Sequence, residues 1–153
     1  MKTLLKGGSV YRNHEFVTAD ILAEDGIIRQ IGRDLEADGA EIADVSGYRI
    51  VPGFLDVHTH GAVGVDVNAA EPEDFEKVCR FQASQGTTGW LGSVLTDTRE
   101  QTLWCIEQFK QWEKLEHQGA ELLGIHLEGP FLSPDYKGAM PVSYTHLTLP
   151  TKA

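Results

Sequence analysis

Two histidines, His58 and His60, stand two apart in the run FLDVHTHG, residues 54 to 61. In an extended strand alternate side chains share a face, so both imidazoles point the same way. Gly61 follows at once and lets the backbone turn. Two imidazoles on one face at the end of a strand make part of a site for a divalent metal. A third group of the right kind is Glu128, which closes the apolar run ELLGIHLE and is followed by Gly129 and Pro130. A carboxylate at the end of an apolar strand is costly to bury unless it is paired or bound to a metal. The chemistry open to such a set is hydrolysis. A bound cation lowers the pKa of a water and polarises a carbonyl.

Other candidates rank lower. His126 shares a face with Glu128 by the same parity. It could be a ligand, a partner that orients Glu128, or an interior histidine bonded to backbone, and the last two are favoured. Asp56 lies deeper in the strand, on the face of His58 and His60, and suits a role supporting the ligands or a structural one. His14 and His117 lack such surroundings and are expected at the surface. Cys79 and Cys105 fall in expected helices without metal-motif spacing, so they read as small buried residues. No GxSxG or phosphate-loop motif is present, and a serine or cysteine nucleophile has no support. The glycine spacing over residues 86 to 92 reads as close strand packing.

The elements that would carry these residues follow from pattern. Residues 1 to 50 read as short strands and turns, with Asp25-Gly26 as a hairpin turn between ADILAE and IIRQIG. Residues 54 to 58 are a short apolar strand. Residues 71 to 85 read as a helix, with Pro72 and acidic residues in its first turn, Phe75, Val78 and Cys79 on one face, and Gly86 as its stop. Residues 87 to 96 read as a buried strand. Asp97 opens a second helix, with Glu100 as the far end of a capping box. Leu103, Ile106 and Phe109 form its apolar stripe, and it runs to about Leu115. Residues 121 to 129 are the next strand. The order β, α, β, α, β implies a parallel sheet with helical crossovers, in a barrel or an open doubly wound sheet. In both, chemistry sits at the C-terminal ends of the strands.

The whole chain bounds the function class. It has 153 residues, and hydrophobic and charged contents of 41% and 24% place it among globular proteins rather than disordered ones. The net charge is −10 and no Lys/Arg cluster appears, which argues against nucleic acid as a partner. No segment approaches the ~20 apolar residues of a membrane span or the apolar run of a signal peptide, so a cytosolic location is the default.

These motifs carry a resemblance. VPGFLDVHTHG resembles the first barrel strand of the amidohydrolase superfamily. GIHLEGPFLSPDYKGAM is similar to the N-acetylglucosamine-6-phosphate deacetylase family within it. HLEGPF discriminates more than the histidine pair, which many superfamily members share. The resemblance covers residues 1 to 141. It implies an α/β fold, an incomplete (β/α)8 TIM-type barrel with its first three strands, preceded by part of a small β-sandwich domain. Residues 1 to 50 would belong to the sandwich and 51 to 141 to the barrel.

By the same resemblance Glu128 matches the family's metal-ligand glutamate, and His58 and His60 match a pair found in members that can hold a second metal. Ala139 and Met140 match a stretch that contacts the sugar; some members have a histidine where Met140 stands. The implied cofactor is one or two divalent metal ions, with zinc or iron as candidates. The implied reaction is hydrolysis of N-acetylglucosamine 6-phosphate to acetate and glucosamine 6-phosphate. The implied general-base aspartate would come from strands beyond residue 153, and so would two further histidine ligands. The implied partner is thus a small amino-sugar phosphate, and the full-length enzyme is expected to be a homodimer.

A complete barrel takes ~250 residues. After Pro141 the match stops, and VSYTHLTLPTKA, residues 142 to 153, resembles a foreign tail. His146 is therefore not recruited as a ligand. A fragment of three barrel strands is expected to be inactive and poorly folded, with an open strand edge. Two other readings compete. One is another amidohydrolase, such as a cyclic amide hydrolase, against which Glu128 argues. The other is a non-catalytic βα module that binds a ligand or partner and would hold no metal.

Overall fold

The computed structural model describes residues 1 to 141. The expected foreign tail, His146 included, lies outside the described residues. The chain divides into two compact units, with the boundary after Pro52.

The first unit is all β. Strands β1 (Lys2–Arg12), β2 (Glu15–Glu24) and β3 (Ile27–Gly32) form an antiparallel meander, and β4 (Glu41–Asp44) and β5 (Arg49–Ile50) pair parallel to β1. Asp25 and Gly26 turn the β2–β3 hairpin with φ of 50° and 76°. That pair of positive angles is what the expected Asp-Gly turn demands. The small core holds Val10, Ala19 and Ile21, with Leu5, Ile31 and Ile50 packed against it. A register shift in β1 between Leu5 and Gly8 is pinned by a buried carboxylate. Asp20 accepts hydrogen bonds from the Gly7 N–H at 2.8 Å and the Leu35 N–H at 2.9 Å.

The second unit is a parallel sheet of β6 (Phe54–Thr59), β7 (Thr87–Leu95) and β8 (Glu121–Glu128), in that spatial order. The crossovers are α1 (Phe75–Ser84), entered through a 3-10 turn at Pro72–Asp74, and α2 (Arg99–Trp112). One core joins both helices to the sheet. Phe75, Val78 and Cys79 of α1 meet Trp90 and Val94 of β7 and Cys105, Phe109 and Trp112 of α2. Burial pushes both thiols above the ordinary cysteine value, as suits inert packing groups. Gly92 lets α2 approach the sheet, because a Cβ there would run into the Phe109 ring.

Three local expectations are corrected. The α2 cap is Thr98, not Asp97: its side chain accepts the Gln101 N–H at 3.1 Å, and Asp97 instead accepts the Thr98 N–H at 2.6 Å. The helix ends at Trp112, three residues short of Leu115, where the last bonds tighten to i→i−3 spacing at Lys114 and Leu115. Its buried stripe is Cys105, Gln108, Phe109 and Trp112, while Leu103 is exposed. The i, i+3, i+4, i+7 spacing of that set runs through a glutamine, which a purely apolar count passes over.

Candidate metal centre

The site lies at the C-terminal ends of the three parallel strands. Pairing explains which side chains reach it. On β7 the side chains of Trp90 and Val94 go to the helices, so Ser93 goes to the opposite face. Ser93 pairs with His126 and Leu95 pairs with Glu128, which puts both β8 groups on the Ser93 face, as parity anticipates. On β6 the pairing slips between Asp56 and Thr59. That slip breaks the alternation expected of Asp56, His58 and His60. Asp56 pairs with Trp90 and its carboxylate accepts from Gln82 of α1 at 3.1 Å, on the helix side. Its other oxygen accepts the His58 N–H at 3.1 Å. Asp56 is thus a brace for the strand and does not share the histidines' face.

His58 and His60 then reach across β7 to Glu128. His58 Nε2 and His60 Nε2 are 3.2 Å apart, and Glu128 Oε2 lies 3.4 Å from the first and 3.1 Å from the second. Among the described residues these three form the cluster of metal-ligating types. Gly61 follows with φ of 123°, in space where a Cβ would strike the Val65 carbonyl. The strand can therefore turn away directly after its second histidine.

The donor set fits a cation. His60 Nδ1 lies 3.0 Å from the Ser93 carbonyl oxygen, which can only accept, so Nδ1 carries the proton. In the neutral ring Nε2 then presents a lone pair, aimed at a carboxylate oxygen that also has only lone pairs to offer. Glu128 Oε2 is sealed from solvent and has no hydrogen-bond partner among the described residues. An orphaned buried oxygen of this kind calls for a hydrogen-bond donor or a cation. Metal–ligand bonds of about 2.0–2.1 Å give donor–donor edges of about 3.3 Å in a tetrahedron and about 2.9 Å in an octahedron. Two of the observed separations, 3.1 and 3.2 Å, fall within that range, and the third, 3.4 Å, lies just beyond it.

The structure brings together His58, His60 and Glu128, and sets His126 beside them. The His126 and His58 rings are 4.8 Å apart between centroids, and His126 Nδ1 lies 3.0 Å from Ser93 Oγ. Ala139 is exposed and Met140 buried, and no hydrogen bond among the described residues ties either to the cluster. His14 and His117 are exposed, as expected. Ser93 is the residue that sequence reasoning passed over. Its only advance signal is a hydroxyl inside the otherwise apolar stretch WLGSVL.

Among known proteins, N-acetylglucosamine-6-phosphate deacetylase from Lysinibacillus sphaericus is 32% identical over 125 residues, which is 82% of this chain and 32% of that protein. The chain is a homologue of the N-acetylglucosamine-6-phosphate deacetylases. It thereby belongs to the amidohydrolase superfamily. The crystal structure of the deacetylase from Pasteurella multocida superposes with a TM-score of 0.86 at 21% identity, covering 98% of this chain and 40% of that one. That likeness confirms the sandwich-like β unit followed by parallel strands and helices. D-hydantoinase from Geobacillus stearothermophilus is 35% identical over 107 residues, 70% of this chain and 22% of that protein. No family model matches the chain. The chain spans about a third of the length of the deacetylases it matches. No helix among the described residues is long and apolar enough to cross a membrane.

Proposed function

We propose that this chain carries the metal-binding strands of a hydrolase that removes the acetyl group from N-acetylglucosamine 6-phosphate. The observation behind the reading is the convergence of His58 Nε2, His60 Nε2 and the orphaned Glu128 Oε2 within 3.4 Å. These three residues would hold a divalent metal, zinc or iron. When bound, such an ion acidifies a water and polarises the amide carbonyl. His60 is held in the tautomer that offers Nε2, and Glu128 supplies the negative charge that offsets the cation. Ala139 and Met140 are proposed to contact the sugar. The leaving amine needs a proton and the attacking water must lose one, which calls for an aspartate acting as general base and acid. Among the described residues no further carboxylate joins the cluster. That aspartate is proposed to come from later strands of a complete barrel, and a homodimer is proposed for the complete enzyme.

The test has two parts. Isothermal titration of the chain with Zn2+ or Co2+ is expected to show binding that Glu128→Gln weakens at least tenfold. Equal metal content in the variant sinks the site assignment. Residues 1 to 141 joined to the remaining strands of the Lysinibacillus sphaericus deacetylase are expected to release acetate from N-acetylglucosamine 6-phosphate. The hydantoinase similarity supports one competing reading, a cyclic amide hydrolase. Turnover of a hydantoin by that chimera, with no acetate released, would favour it.

A further inference from the structure

Ser93 is fully buried in the middle strand, between the two strands that carry the candidate ligands. It makes two separate contacts on the site face. Its carbonyl oxygen faces His60 Nδ1 at 3.0 Å, and its hydroxyl faces His126 Nδ1 at 3.0 Å. His126 in turn packs its ring against His58, with centroids 4.8 Å apart and planes inclined by 50°. One residue therefore bears on both members of the histidine pair. It reaches His60 directly, and it reaches His58 through the ring of His126.

From this arrangement we infer that Ser93 is a positioning residue of the metal centre, whose hydroxyl fixes His126 as a backstop for the His58 ring while its carbonyl fixes the tautomer of His60. The inference rests on the metal reading above. A ligand imidazole whose second nitrogen is tied, or whose ring is wedged, gives up less freedom when it binds a cation. Loss of such supporting contacts costs about 10–100-fold in metal affinity. His126 is not needed as a donor in this account. Its Nδ1 is engaged by Ser93, and it lies outside the three-residue cluster among the described residues. The carbonyl survives any side-chain change at position 93, so substitution separates the two contacts.

The experiment compares the chain with its Ser93→Ala and His126→Asn variants. Co2+ is titrated by equilibrium dialysis and by visible absorption, and histidine tautomers in the metal-free chain are read by long-range 1H–15N NMR. Ser93→Ala is expected to raise the Co2+ Kd about tenfold or more. It should also shift the Co2+ absorption band while leaving His60 protonated on Nδ1. A Ser93→Ala chain that binds Co2+ with the wild-type Kd and band overturns the inference. If Ser93→Ala does not fold, His126→Asn decides. Its amide can still reach the Ser93 hydroxyl but lacks the ring, so wild-type Co2+ binding there overturns the inference equally. Failure of the wild-type chain to bind Co2+ overturns the metal reading itself, a different outcome from binding that neither substitution changes.

Discussion

At the scale of single residues, two buried or enclosed positions make opposite demands. Gly61 must keep an open left-handed conformation so that the chain leaves β6 without striking Val65. Gly61→Ala is expected to displace the turn after His60 and raise the Kd for Zn2+ severalfold, read by competition with a chromophoric chelator. Asp20 has the contrary task of staying charged in a buried place. The Gly7 N–H, chiefly, holds its carboxyl below the ordinary aspartate value, with Leu35 and the Lys6 charge adding to this and burial opposing it. Its contribution to stability is therefore complete above the unfolded pKa and is lost as pH falls through the lower folded one. Urea titrations should show Asp20→Asn destabilising the first unit at pH 7, with the gap closing as pH drops below about 4. His58, His60 and Glu128 were legible in the sequence because strand parity and strand ends are local patterns. Ser93 was not. Its meaning comes from pairing with His126 on another strand, and that register is written in no single segment. Asp56 misled for a related reason, since the slip in β6 pairing that turns it to the helices leaves no mark in the run FLDVHTHG.

At the scale of elements, α2 shows how a helix is seated by its first turn and by one gap in the sheet. The Thr98 hydroxyl accepts the Gln101 N–H, and its carbonyl receives the Thr102 N–H at 3.0 Å. Thr98→Ala is expected to cost about 1 kcal/mol in denaturant unfolding of the second unit. Gly92 leaves room for the Phe109 ring, which is already packed against Phe75 at 4.7 Å between centroids. Gly92→Ala should therefore cost about 1–3 kcal/mol by overpacking, seen as a lower urea midpoint with the slope unchanged. The alternation of strands and helices was legible because each element carries its own period. Cap choice and stripe were less so. Asp97 and Thr98 are both good capping types side by side, and the geometry of the turn decides between them. Leu103 and Cys105 are both apolar, and only the sheet's position on one side of the helix tells which is covered.

At the scale of the whole molecule, the chain divides into two compact units, and the candidate centre belongs to the second. With three candidate ligands and no additional carboxylate in the cluster among the described residues, the 153-residue chain is expected to bind metal without turnover. Acetate release from N-acetylglucosamine 6-phosphate above a metal-only control would contradict this. One geometric feature has a thermodynamic side as well. His58 and His60 stand on β6 and Glu128 on β8, with β7 between them. An ion held by all three is a staple from the first parallel strand to the third, closed only when the intervening strand is in register. It binds the folded unit and has no equivalent site in the disordered chain. Mass action then ties the unfolding midpoint of this unit to the free ion concentration, by about 2.7 kcal/mol at a hundredfold excess over Kd. None of the three groups lies in the β unit before Pro52, so added Zn2+ is expected to raise the unfolding midpoint of the second unit, read by calorimetry.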